Sequence, residues 1–161
     1  MRFLITLGIM MTSTVSAQAP TSVVFSGSPQ SPISSNVAVP ANKAYFWTSG
    51  TVPAVADNSA PAGSPARFGD TKAQGISILR NIETQLRDKG LTMKDVIYLR
   101  VYIVADKSKG NAFDYQGWFD AYAQFFGTQA NPTKPSRSTV GVAGLVNPDW
   151  LIEIEAFAVY P

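Results

Sequence analysis

The sequence predicts an α+β domain in which helices cover one side of a sheet, and three observations carry that reading. A helical stripe (Ile76, Leu79, Ile82, Leu86) is followed by a strictly alternating run from Val96 to Val104, and two β-rich segments close the chain. With 161 residues, 45% of them hydrophobic, the chain has room for one domain whose core needs no covalent staples.

The elements follow in order. Met1 to Ala17 has a basic start at Arg2, an apolar run from Phe3 to Met11 and small residues at Val15-Ser16-Ala17, the layout of a secretory signal peptide. The apolar run is too short for a bilayer span of roughly 20 residues, so removal of 1–17 and a periplasmic or secreted location are expected, with no membrane attachment afterwards. Residues 18–43 form a Ser/Pro-rich arm, irregular and able to add one weak edge strand. The domain itself occupies 44–161. It opens with a strand at Ala44 to Ser49 that stops at Gly50, followed by a long loop from Thr51 to Gly69.

A helix begins at Asp70 or Thr71 and stops at Gly90, where a left-handed cap fits. The strand Val96 to Val104 places Ile97, Leu99, Val101 and Ile103 on one face and Tyr98, Arg100 and Tyr102 on the other, and strand, helix and strand make a crossover unit. Tyr115, Trp118, Phe119, Tyr122, Phe125 and Phe126 form an aromatic stripe ending at Gly127, read as a second helix packing on the sheet rather than as a stacking platform. Arg137 to Leu145 and Leu151 to Val159 are two strands joined by Val146-Asn147-Pro148-Asp149, expected to pair as an antiparallel hairpin.

Chemistry is bounded by absences. With no cysteine and no histidine, thiol nucleophiles, Ser-His-Asp triads and imidazole or thiolate metal sites are excluded, and no metal or cofactor site is expected. A formal charge of +2 on scattered lysines and arginines is no footprint for nucleic acid. In the expected hairpin, Val140 and Val142 face the helices, so Arg137, Thr139, Gly141 and Ala143 share the uncovered side with Leu151, Glu153, Glu155 and Phe157. Charges on a wetted face would be ordinary. The small and apolar residues between them favour a face covered by another sheet, where a buried charge needs a partner or an anionic ligand.

Pro135-Ser136-Arg137-Ser138-Thr139-Val140-Gly141-Val142-Ala143 followed by Ile152-Glu153-Ile154-Glu155-Ala156-Phe157-Ala158-Val159 resembles the C-terminal signature of the RidA (YjgF) family of enamine/imine deaminases. Thr48-Ser49-Gly50, Asp88-Lys89-Gly90-Leu91 and Tyr122-Ala123-Gln124-Phe125-Phe126 fall in the family's order, so the resemblance spans roughly Ala44 to Val159. It implies a chorismate-mutase-like fold, a mixed sheet with two helices on one face, assembled as a homotrimer with ligand clefts between subunits. It also implies hydrolysis of small 2-imino acids to 2-keto acids and ammonia. The family's carboxylate-holding arginine falls on Arg137 and its water-associated glutamate on Glu153, with Thr139, Gly50 and Ser49 completing the substrate pocket. The sequence departs from the family in lacking an N-terminal Gly-Pro-Tyr segment, and in having Gly141 at a position that is often acidic.

The residue types suit those roles. A guanidinium matches a carboxylate with two parallel hydrogen bonds and stays charged. A glutamate screened from bulk water suits proton transfer, and a protonated imine is electrophilic without a metal. Across the expected hairpin, Arg137 and Glu153 stand ~13 Å apart at ~3.3 Å per residue, so a shared pocket requires the glutamate to reach in from a neighbouring subunit or to act through water. A non-catalytic carboxylic-acid binder and a chaperone-like protein are the alternatives, and the lack of histidine leaves little support for a ribonuclease.

Overall fold

The structure, a computed structural model, describes residues 18–161; the segment 1–17, expected to be a signal peptide, lies outside the described residues. Among the described residues no helix is long and apolar enough to cross a membrane. The strands are β1 (Val24–Ser26), β2 (Asn36–Ala38), β3 (Tyr45–Trp47), β4 (Val96–Val104), β5 (Ser136–Val142) and β6 (Ile152–Val159), and the helices are α1 (Thr71–Arg87) and α2 (Tyr115–Tyr122).

The α1 helix starts where expected because the Asp70 carboxylate accepts from the Ala73 N–H at 2.9 Å, and Gly90 takes the left-handed conformation (φ +74°) that ends the following turn. Ile78, Leu79, Ile82 and Leu86 are fully buried, each contributing roughly 1.5–3 kcal/mol of hydrophobic stabilisation. On α2, Asp114 caps the Gly117 N–H at 2.9 Å. The helices meet at Gly75, where an added Cβ would come within 3.0 Å of the Ala121 methyl. Trp118, Ala121 and Tyr122 join the core formed by α1 and one face of the sheet.

The main sheet has the order β3-β6-β4-β5. The expected hairpin of β5 and β6 is not formed. Instead β5 pairs parallel with β4, β6 runs antiparallel between β3 and β4, and the Val146–Asp149 turn passes over the end of β4. The reason is the connection through α2, since a strand, a helix and a parallel strand form a compact right-handed unit that places β5 at the outer edge. Likewise β3, α1 and β4 form a split crossover with β6 inserted. Gln74 fastens the turn to the start of α1, donating to the Gly69 and Asp149 carbonyls (3.0 and 3.1 Å) and accepting from the Leu151 N–H at 2.8 Å.

Register settles which residues share a face. One row reads Arg137, Leu99, Ala156, and the next rows read Thr139, Val101, Ile154 and Gly141, Ile103, Ile152. Leu99, Val101, Ile103, Ile152, Ile154 and Ala156 are fully buried, so this is the helix-covered face. The opposite rows are Ser136, Tyr98, Phe157; Ser138, Arg100, Glu155; and Val140, Tyr102, Glu153. Arg137, Thr139 and Gly141 therefore lie on the helix side while Val140 and the two glutamates lie on the open side, the reverse of the phase expected for this strand.

The arm before residue 44 does not join the main sheet. β1 and β2 form their own antiparallel ribbon. Its connecting loop is tied to the segment before β5 by the Lys134 ammonium, which donates to the Pro29 and Ser31 carbonyls at 2.9 Å each, and to α2 by the Tyr122 hydroxyl, which donates to the Pro32 carbonyl at 3.0 Å.

Candidate active site in two halves

Arg137 lies on the edge strand against α2. Its guanidinium carbon sits 4.5 Å from the Tyr122 ring centroid, 4.8 Å from Phe119 and 5.4 Å from Trp118, so the cation is held against three aromatic rings. Among the described residues it has no carboxylate partner, and its Nη1 is buried without a hydrogen bond. The Thr139 hydroxyl, next on the same face, is also buried and unpartnered. Burial lowers the pKa of Arg137 from its ordinary value, partly offset by the nearby Tyr122 side chain; burial pushes Tyr122 up to about 12. The outcome is a half-buried cation with donors to spare.

Arg100 shows the contrast. On the open face it pairs with Glu155 at 2.9 Å and lies 5.4 Å from the Phe157 ring, so that arginine and that glutamate satisfy each other. A purely structural role accounts for Arg100. It does not account for Arg137.

Glu153 occupies the other half. It is half-buried on the open face of β6, beside the segment that leaves β3. The Thr48 hydroxyl accepts from the Ala156 N–H at 2.9 Å, and the Thr51 N–H donates to the Ile154 carbonyl at 2.8 Å, which clamps Ser49 and Gly50 over Glu153. A side chain on Gly50 would fall on the Glu153 carboxylate, so only glycine allows this close approach. Among the described residues Glu153 makes no ion pair.

The structure thus brings Arg137 to Thr139, and Glu153 to Gly50 and Ser49, but keeps the two groups apart within one chain. Three residues along the strands and two strand spacings across give offsets of ~10 Å in each direction, on opposite faces of the sheet. The expectation that Arg137 and Glu153 cannot share a pocket within one chain holds, for a different reason than a hairpin offset. What sequence reasoning missed is the ring cage. The aromatic stripe does pack on the sheet, yet it also stacks on a cation, and recognising β4, α2 and β5 as a parallel unit would have put α2 over Arg137. Among the described residues no group of three acidic side chains, histidines or cysteines is placed to hold a metal ion.

Comparison with known proteins bears on the family and the fold. Residues 27–160 match the family model described as Endoribonuclease L-PSP. The chain is 32% identical over 122 residues to the 3-aminoacrylate deaminase RutC of Acinetobacter baylyi, covering 74% of this chain and 84% of that protein. It is 37% identical over 90 residues to a RutC family protein of Pyrococcus horikoshii, covering 56% of this chain and 63%, less than two thirds, of that relative. Among solved structures, that of E. coli TdcF with bound serine superposes with a TM-score of 0.56 at 30% identity, covering 76% of this chain and 85% of that one. The chain belongs to the RidA/YjgF family and has its fold, two helices on one face of a mixed sheet.

Proposed function

We propose that this member of the RidA/YjgF family hydrolyses 2-imino acids to 2-keto acids and ammonia, at a site built between copies of the chain in a homotrimer. The observation that carries the reading is Arg137, half-buried against three rings, without an acidic partner among the described residues and next to the unpartnered Thr139 hydroxyl. A carboxylate there would accept two parallel hydrogen bonds from the guanidinium and one from Thr139, satisfying groups that are otherwise costly to bury.

In this mechanism Glu153 reaches the substrate from a neighbouring subunit. Water adds to the carbon of the protonated imine as one water proton passes to the Glu153 carboxylate. The resulting carbinolamine collapses when that proton is returned to nitrogen and the carbinol hydroxyl gives its proton back to Glu153: C=O forms as the C–N bond breaks, the 2-keto acid and ammonia leave, and the remaining proton departs with ammonia as ammonium. Arg137 holds the carboxylate throughout. The open sheet face supports the assembly: Trp47 is 66% exposed and Val140 44%, around a cluster in which Phe157 packs on Trp47 and Tyr98 at 5.4 and 5.3 Å. An aromatic face of this kind suits burial by a second copy better than water. The RutC relative's name and the serine bound to TdcF are both consistent with a small carboxylate ligand, with nitrogen on C3 in 3-aminoacrylate and on C2 in serine. The layout of residues 1–17 supports work outside the cytoplasm, which the N-terminal sequence of the mature protein would check.

The test is competitive. An amino-acid oxidase with catalase releases an imino acid in the presence of semicarbazide, and the protein is expected to divert it to free keto acid before it is trapped. No diversion at enzyme concentrations equal to those of the oxidase would overturn the reading.

A further inference from the structure

The face of β5 that carries Arg137 and Thr139 continues to Gly141, and there an aromatic ring replaces a side chain. A Cβ on Gly141 would lie 2.7 Å from Cε1 of Phe113, so the Phe113 ring rests directly on the strand backbone. Phe113 is nevertheless 42% exposed, its neighbour Tyr115 37%, and Phe119, which flanks the Arg137 guanidinium, 39%. Phe113 and Tyr115 stand 5.9 Å apart. A row thus runs along one edge: cation, free hydroxyl, exposed ring, with Phe119 beside it.

Most of the remaining aromatic stripe is consumed by the core, since Trp118, Tyr122 and Phe126 are buried. Leaving Phe113, Tyr115 and Phe119 part-exposed, with Phe119 against Arg137 and Phe113 at Gly141 farther along the same strand, is costly unless something apolar covers them. A ligand whose carboxylate sits at Arg137 extends its side chain along the strand toward Phe113. A methyl group would leave those rings wet, whereas an aryl group would bury them and stack with them.

Resting on the reading of Arg137 as the carboxylate anchor, we infer that this site takes 2-imino and 2-keto acids bearing an aryl side chain, with Phe113 and Phe119 forming the side-chain subsite. The specificity is set by rings that do not touch the reacting carbon.

Two measurements on the full protein test this. In the oxidase assay, kcat/KM for the imine of phenylalanine is expected to exceed that for the imine of alanine by about tenfold or more, the discrimination a modest apolar pocket supplies. Phe113→Ala should cut that ratio by about tenfold and Phe113→Leu should restore part of it, with circular dichroism checking the fold. In calorimetry, phenylpyruvate should bind more tightly than pyruvate, in both cases through Arg137. A preference for alanine-derived imine and for pyruvate, each lost in Arg137→Ala, would overturn the aryl subsite and leave the hydrolase reading intact. Arg137-dependent preference for phenylpyruvate with no turnover would uphold the subsite and overturn the hydrolase reading. No binding of either acid would overturn both.

Discussion

The two faces of the main sheet differ in how far one chain can satisfy them. The helix side is closed over most of its area by α1 and α2, with Leu99, Val101, Ile103, Ile152 and Ile154 fully buried, and its outer edge carries the unpartnered Arg137 Nη1 and Thr139 hydroxyl. The open side is aromatic and charged, with Trp47 and Tyr45 exposed, an Arg100–Glu155 pair, and Glu153 under Gly50. The difference teaches that, on the proposed reading, each face holds half of a site that neither completes alone. One supplies a cation without a counter-ion, and the other a carboxylate without a substrate anchor.

Breaking the open face should have the largest effect. Phe157→Asp puts a charge into the Trp47 and Tyr98 cluster, and light scattering is expected to show loss of the trimer, together with loss of imine hydrolysis. A monomer that keeps full activity would show that one chain suffices. Removing the anchor comes next: Arg137→Ala should weaken 2-keto acid binding by roughly 10²-fold or more, read by calorimetry, with the melting temperature held or raised, because an unpaired half-buried cation is costly to the fold.

The carboxylate half should respond differently. Glu153→Gln is expected to slow turnover by about 10²-fold with little change in keto-acid affinity, the separation expected of a proton acceptor. Gly50→Ala, which pushes on the Glu153 carboxylate, should lower kcat by about tenfold with the fold intact. A change in binding rather than in kcat would place Glu153 among the anchoring groups.

The smallest effect concerns the ring under Arg137. Tyr122 has its phenol pushed up to about 12 by burial, against an ordinary 10.0. Between those values the unfolded chain releases the proton while the folded one keeps it, so this contribution to stability is present below pH 10 and is lost as pH rises toward 12. Urea unfolding should show a decline of about 2 kcal/mol across that window that is absent in Tyr122→Phe. Equal declines in both proteins would assign the alkaline sensitivity to other groups.

Much of the fold was legible before any coordinates. The period of α1, the alternation of β4 from Tyr98 onward and the stop at Gly90 are local matters of side-chain spacing and backbone preference, and they appear where the residues placed them, whereas a register shift between Val96 and Tyr98 buries Val96 and leaves Ile97 half-buried, against the expected alternation. The pairing of β5 was not legible. A short turn suggested a hairpin, but sequence proximity is a weak guide to partners when a helix connection favours a parallel neighbour. The wrong phase of β5 followed from the same cause. Val140 and Val142 announce a surface that must be covered, and alternation does not say whether the cover is the chain's own helix or another molecule.

The amino-acid order by itself determined the class of chemistry. Without histidine or cysteine the chemistry was left to arginine, lysine, carboxylates, hydroxyls and backbone groups, and the family resemblance singled out Arg137, Thr139 and Glu153 with Gly50 and Ser49. Only the tertiary structure decided that these fall into two groups on opposite faces, that Arg137 rests on Trp118, Phe119 and Tyr122, and that Phe113 covers Gly141. Residue types are encoded one position at a time. Faces, neighbours and burial arise from strand order and helix docking, which depend on contacts between residues far apart in the chain.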